Sequence, residues 1–599
     1  MESVDNRLAG AASAYLRLHA DNPVDWREWG EAAFAEARER GVPVFASVGY
    51  ATCHWCHVMA RESFADAEVG AALRAGFVAV KVDREERPDV DAALMGAASA
   101  FTRQLGWPLS VFLTPDGQPF FAGTYYPPTA RQGVPGFRDV LRGVAAAWHE
   151  QPDAVLDTAG RVQEALRAAR AGSGERADAL PDAAEIRAAL AGVAAQEDPE
   201  HGGLGEGQKF PQAPLMLALV DVDPALAGRL LDAAAGDDAV VAGGGYSHLR
   251  GRDGGFFRYA TRRDWAAPHF ERMLIDNAQL LHAATLLGRE TVAAGIVGFL
   301  DDVLRLPGGA LAVAEDAEST VRGQRVEGGW HLGPPSPERE RPPLDRLVVT
   351  AANGLAIEAL SIRALRDGDE RALALARGAA EHLLAHHARR TPEGVRLAHH
   401  ARRTPEGVRL VHASLDGQAS DAVATAADAG CLASGLLALT AATGEARWAV
   451  EARAILEAAP DPVAVAGQGP ALELGPASDG DAPSGEAALA GALHGLYALS
   501  GDAEHLERAT RLLDATLAIR NPFAGAATLR VAALLAEPPQ TLVLVGDPPA
   551  ALRREPGALV VSPAQAAELA DAGFELLAGK EAPGAYRCRG FVCDLPEPF

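Results

Sequence analysis

The chain has 599 residues, with 55 Lys and Arg against 80 Asp and Glu and a formal net charge of −25. So acidic a surface repels nucleic-acid phosphates and anionic lipid, which excludes nucleic acid and membrane surfaces as expected partners. At this length two or more domains are expected, and five cysteines are too few for a disulfide framework.

The opening residues, MESVDNRLAG, lack the basic and apolar regions of a secretory leader, and no long uncharged apolar run follows. A soluble, cytoplasmic protein is therefore expected. HADNPVDWREWG leads into a helix over Glu31–Arg40 that Gly41 and Pro43 close, with Trp26 and Trp29 as core or lid aromatics. Val44–Val48 is an apolar, β-branched run that predicts a buried strand, Gly49–Thr52 is its exit, and Cys53 opens a helix.

Two cysteines in C-x-x-C spacing thus sit where strand becomes helix. The unpaired backbone N–H groups and positive dipole end of a helix N-terminus favour thiolate over thiol. Cys53 is the expected exposed nucleophile, Cys56 the resolving thiol, and a protonated His57 would stabilise the thiolate further. Haem attachment, a reading of CHWCH, requires export; structural zinc requires further ligands; and inert structural cysteines remain an alternative. Neither a metal nor a cofactor is expected.

Phe77–Asp83 predicts the next strand, Val90–Phe101 a helix, and Leu109–Thr114 and Pro119–Gly123 a hairpin turning at Pro115-Asp116-Gly117. Pro108 stands just before a strand, late enough in the chain to lie beside the redox helix, and a cis Trp107–Pro108 bond is expected there.

The blocks NPVDWREWG, YATCHWCHVMARESF, VKVDREERPDVD, GWPLSVFLTPDG and FFAGTYYPP resemble, in order, the thioredoxin-like proteins related to spermatogenesis-associated protein. One departure is Arg103-Gln104-Leu105, where that family carries a glycine-rich approach to the tryptophan. The resemblance implies a multidomain chain: an α/β thioredoxin-like redox domain (1–170), an all-α (α/α)6 toroid (183–535) and a small α/β C-terminal segment (536–599), with a linker at 171–182.

The residues themselves support that division. AGSGERADALPD reads as a linker, and from 183 to 518 Ala- and Leu-rich amphipathic segments recur between Gly- and Pro-rich loops, suggesting a closed ring of helical hairpins. The resemblance implies a toroid similar to six-hairpin glycosidases and N-acylglucosamine 2-epimerase. Polar residues gather in its loops: Lys209, Tyr246, Arg258, Tyr259, Trp265, His269, Glu271, Asp276, Asn277, Asp316, Glu318 and Asn353. His269 with nearby carboxylates suits proton transfer at a sugar carbon or glycosidic hydrolysis, in a substrate-binding set of Arg258, Tyr259, His269, Glu271, Asp276 and Asp316. The alternative is that His269 and Glu271 cap a helix while Asp276 and Asn277 tie adjacent hairpins. Ala352, Ala429 and Glu486 depart from the family's Trp, Tyr and Asn, removing stacking surface for a sugar ring.

AHHARRTPEGVRL occurs at 385–397 and again, identically, at 398–410. Fold symmetry constrains pattern rather than letters, so this is a recent in-frame duplication or an assembly error of the sequence, and one copy is expected to pack while the other leaves the core. Beyond 535 two strands and GAYRCRGFVCDLP follow, with Cys588 and Cys593 expected as shielded free thiols and Cys431 as a core residue.

Three functions follow as expectations. The first is thiol–disulfide exchange at Cys53 and Cys56, Pro108 shaping the docking groove, with a protein client or small thiol as partner. The second is conversion or binding of a sugar in the toroid. The third is a non-catalytic, redox-responsive binding protein whose toroid presents a client.

Overall fold

Strand pairing builds the N-terminal unit around the strand that precedes the cysteine pair. In the computed structural model, which describes residues 7–131, 133–172, 180–334, 336–390, 408–459, 472 and 479–599, β1 (Trp26–Glu28), β2 (Val44–Gly49) and β3 (Val78–Asp83) are joined by β4 (Leu109–Leu113) and β5 (Pro119–Gly123). Their order is β1-β3-β2-β4-β5; β1, β3 and β2 are parallel, while β4 and β5 run antiparallel. This mixed sheet is the thioredoxin arrangement. Helices α1 (Glu31–Arg40), α2 (His54–Glu62), α3 (Ala67–Gly76) and α4 (Pro88–Ala98) connect and cover it.

Because successive side chains of a strand face opposite ways, β3 has two characters. Val78, Val80 and Val82 enter one apolar core with Val44, Ala46, Val48 and Val111. Ala79 enters the other, with Trp26, Phe45, Phe64, Phe112 and both cysteines. Lys81 and Asp83 share the parity of Ala79, and both are buried. Trp26 is fully buried, the core aromatic expected of it.

The chain divides into two compact units: 1–175 with 413–423 and 463–477, and the remainder. The second unit contains the C-terminal segment together with the helices. Six helices in it form a closed ring, each against the next: Ala213–Leu219, Leu274–Leu286, Thr350–Asp367, Ala426–Thr443, Gly485–Ser500 and Ala526–Leu535, the last returning to the first. The first five pair with an outer helix that follows each in sequence. The sixth pairs with Ala183–Ala191, so the beginning of the helical region supplies the partner of its end. This is the (α/α)6 toroid.

Inner helices are rich in small residues because their backbones nearly touch. A Cβ on Gly354 would lie 2.5 Å from the Cys431 carbonyl carbon, and one on Gly430 would lie 2.3 Å from that of Ala488. Ala426–Thr443 is long and apolar enough to cross a membrane by length and composition, although it carries Asp428; 61% of it is buried as a ring helix. Cys431, within it, is a buried free thiol as expected, and burial pushes its pKa up.

The duplicated segment resolves differently from the expectation. Ala388–Arg390 pairs antiparallel with Val408–Leu410, so one hairpin stem takes its first strand from the first copy and its second from the second. Residues 391–407, most of the duplication, lie outside the described residues. In a single copy the same stem would close over Thr-Pro-Glu-Gly.

The C-terminal sheet pairs Gln540–Val545 with Ala558–Val561 and with Gly584–Arg589, which turns back at Val592–Cys593. It lies at the C-terminal ends of the inner helices, leaving a hollow of about 560 Å³ beside His494 and Leu437. Cys588 and Cys593 are disulfide-bonded, not free thiols: they are direct cross-strand partners, with Cα atoms 4.0 Å apart.

Candidate functional site

Cys53 is the N-cap of α2, and its sulfur accepts a hydrogen bond from the Cys56 backbone N–H at 3.2 Å. The two cysteines form a disulfide, with Cα atoms 5.2 Å apart as one helical turn dictates. The expectation of an exposed Cys53 is corrected: Cys53 is 3% exposed and Cys56 2%, because both enter the aromatic core that contains Tyr15 and Tyr50, with Trp107 and Tyr125 packed against it. The exposed member of the motif is Trp55, whose ring lies 5.2 Å from that of Tyr125. His57 is half-buried on α2.

Trp107–Pro108 is a cis peptide, and Pro108 is buried. Val48 pairs with Leu109, so Pro108 stands level with Gly49, at the end of β2 that leads to Cys53. The Trp107 indole donates to Asp91 at 2.8 Å and carries the Arg84 guanidinium 4.1 Å over its ring.

Behind the disulfide lies a polar cluster that sequence reasoning missed. A Cβ on Gly49 would meet Tyr15 Oη at 2.3 Å and Cys56 Sγ at 2.7 Å, so only glycine leaves room for both. Burial, then the charge of Asp83, pushes the Tyr15 phenol well up. Ser13 Oγ donates to Asp83 at 2.5 Å. Lys81 Nζ donates to Ser47 Oγ at 3.0 Å and sits 4.4 Å from the centre of the Phe64 ring and 5.0 Å from that of Trp26. Burial drives its pKa well down. Burial, then Lys81, likewise lowers His19. The available signal was Lys81 and Asp83 alternating with valines inside an apolar strand.

At the toroid mouth the structure brings Arg258, Tyr259, His269 and Glu271 together. His269 Nδ1 lies 2.7 Å from Glu327 and Nε2 3.6 Å from Glu271, and Tyr259 lies against its ring at 5.0 Å. Burial opposes the imidazolium charge, yet hydrogen bonds with Glu271 and Glu327 outweigh it and raise His269 to about 9. Arg258 binds Glu271 at 3.1 Å and Asp481 at 2.7 Å. Asp316 is engaged by Arg325 at 2.7 Å, and Asp276 is buried in the first turn of its inner helix. Asn277 accepts from the Phe256 N–H and donates to the Phe256 and Met273 carbonyls; Asn353 makes the same three bonds with Leu311 and Val349. Both asparagines therefore tie a preceding loop to the start of an inner helix.

A thioredoxin-like domain joined to an (α/α)6 toroid is the class these units define. Residues 5–167 match the family Thioredox_DsbH, "Protein of unknown function, DUF255". Spermatogenesis-associated protein 20 of Homo sapiens is 41% identical over 348 residues, 55% of this chain and 44% of that protein. The rat protein of that name is 40% identical over 332 residues, 52% of this chain and 41% of its own length. Where it aligns, the chain is thus similar to the family its sequence blocks resemble, and it spans less than half the length of these curated relatives. Among solved structures, cellobiose 2-epimerase from Spirochaeta thermophila is 16% identical with a TM-score of 0.37, covering 55% of this chain and 84% of that one. A GH76 α-mannanase of Bacteroides thetaiotaomicron is 10% identical with a TM-score of 0.36, covering 59% and 95%.

Proposed function

We propose that the N-terminal domain exchanges thiols and disulfides with a protein client that the toroid helps to hold. The observation that carries this reading is the Cys53–Cys56 bridge at a helix N-terminus, with the Cys56 N–H directed at Cys53 Sγ. On reduction that N–H and the helix dipole favour the Cys53 thiolate, the nucleophilic form. In one direction a client thiolate attacks the bridge to give a mixed disulfide, and a second client thiol displaces it. Two electrons and two protons pass to the pair, and the client leaves as a disulfide. In reverse, Cys53 attacks a client disulfide and Cys56 resolves the intermediate. Trp55, 47% exposed beside the pair, offers the client apolar surface, and Pro108 borders the same strand end.

The test is the pH dependence of Cys53 alkylation in the reduced protein, followed by mass spectrometry. An apparent pKa below the ordinary thiol value of about 8.5 is expected; a value at or above it would falsify the activated thiolate. Cys56→Ser should trap a mixed disulfide with protein clients, and recovery of small thiols alone would remove the client from the proposal.

Sugar conversion at the toroid mouth has less support, because both ring nitrogens of His269 face carboxylates and the imidazole is held protonated. That geometry suits a clamp better than a general base.

A further inference from the structure

Between the inner helices lies a cavity whose polar wall no reading above uses. His282 on Leu274–Leu286, Glu358 on Thr350–Asp367 and Arg530 on Ala526–Leu535 line it, with Gln279, Leu355 and Ala527. Among the described residues, none of the three ionisable side chains has a hydrogen bond or ion pair, although the charge of Arg530 is felt at both Glu358 and His282. His282 is 4% exposed. Glu358 and Arg530 are half-buried. Ionisable groups drawn out of water without partners are costly, so three converging on one space mark a place where something else supplies the partners.

The chemistry of the walls selects the ligand. Burial, partly offset by the charge of Arg530, pushes the Glu358 carboxyl up; burial, then Arg530 and Arg366, pushes His282 well below the ordinary imidazole value. The Arg530 guanidinium is the cationic donor of this wall, and a carboxyl and an imidazole whose charged forms burial disfavours flank it. Its planar fork matches a carboxylate, while Leu355 and Ala527 suit a short alkyl group. Size decides between a sugar and something smaller. The volume open to the centre of a water molecule is about 50 Å³, and one water needs about 10–15 Å³ on that measure. The space therefore holds a few heavy atoms, not a pyranose ring.

We propose that this cavity in the toroid binds a small aliphatic monocarboxylate, with Arg530 holding the carboxylate and Glu358 and His282 completing its hydrogen bonds. The proposal is independent of the thiol chemistry.

The full-length protein is titrated with propionate, and with 1-propanol as the uncharged control, by calorimetry and thermal shift in chloride buffer of constant ionic strength. Saturable binding of propionate and none of propanol are expected. Arg530→Gln should weaken binding by about tenfold or more, while its melting temperature without ligand stays close to that of the parent, since a half-buried guanidinium without an ion pair is removed. Glu358→Gln, which resembles the neutral acid, should bind within about threefold of the parent. Ala527→Leu fills the cavity and should abolish binding, and it decides the matter should Arg530→Gln fail to fold. Absence of saturable propionate binding, equal binding of propanol, or unchanged affinity in Ala527→Leu would overturn the proposal.

Discussion

The polar cluster behind Cys53–Cys56 and the polar cluster at the toroid mouth both bury ionisable side chains, and they differ in how their buried cations are paired. At the mouth, His269 lies between two carboxylates, Arg272 binds Asp253 and Glu315, and Lys209 binds Asp198 at 2.8 Å. Behind the disulfide, Lys81 has the Ser47 hydroxyl and aromatic faces, and no ion pair among the described residues. Matched charges hold loops in place, whereas Lys81, whose pKa burial drives well down, can respond to a reaction beside it. Polarity alone, which the sequence displays, does not separate the two.

The largest effect is expected at the mouth. Glu315→Ala removes the carboxylate that accepts from Arg272 Nε at 2.7 Å, where both side chains are fully buried. It should cost about 3–5 kcal/mol, because the buried guanidinium loses its main counter-charge. Chemical denaturation measures this, and a loss below about 1 kcal/mol, the range of a surface pair, would show the clamp to be dispensable.

The charge of His269 makes the stability of the mouth depend on pH. His269 stands at about 9 in the folded protein against an ordinary 6.5. A raised pKa contributes stability that is fully present below the unfolded value and is lost as pH rises through the folded one. His269→Gln should therefore be less stable than the parent by about 3 kcal/mol between roughly pH 5 and 6.5, with the difference fading by about pH 9. A difference that does not change with pH would mean the imidazole is not the charged partner of Glu271 and Glu327.

Behind the disulfide, Gly49→Ala should cost about 1–3 kcal/mol by overpacking, since the new methyl meets both Tyr15 Oη and Cys56 Sγ. It should also slow thiol exchange more than a substitution elsewhere on the sheet, and equal effects on stability and exchange at control sites would remove the link between Tyr15 and the redox pair.

The smallest effect is expected from the duplication. Deleting 398–410 leaves the same sequence as deleting 385–397 and retains a hairpin stem closed by Thr-Pro-Glu-Gly. The shorter connection closes at less entropic cost, so stability should be unchanged or rise by at most about 1 kcal/mol. A marked fall in melting temperature would show that residues 391–407 are structural.

Local rules were enough for the redox motif. An apolar run, a short exit and cysteines one turn apart set strand, cap and helix within 19 residues, Val44–Glu62, because hydrogen bonding and side-chain periodicity act between near neighbours. The same rules found most ring helices, and the ordered sequence blocks pointed to both units. They did not indicate that Cys53 would be buried, since burial depends on aromatics that arrive from Tyr15, Trp107 and Tyr125. Nor did they show that His269 meets a carboxylate 58 residues away, that the first toroid helix completes the last hairpin, or that one hairpin stem draws on both copies of a repeat. Glu358 and Arg530 look like ordinary helical surface charges in the sequence, and they face one cavity only because the ring closes. Periodicity tells each element which side to bury, whereas the partner it is buried against is chosen by packing among all the elements at once.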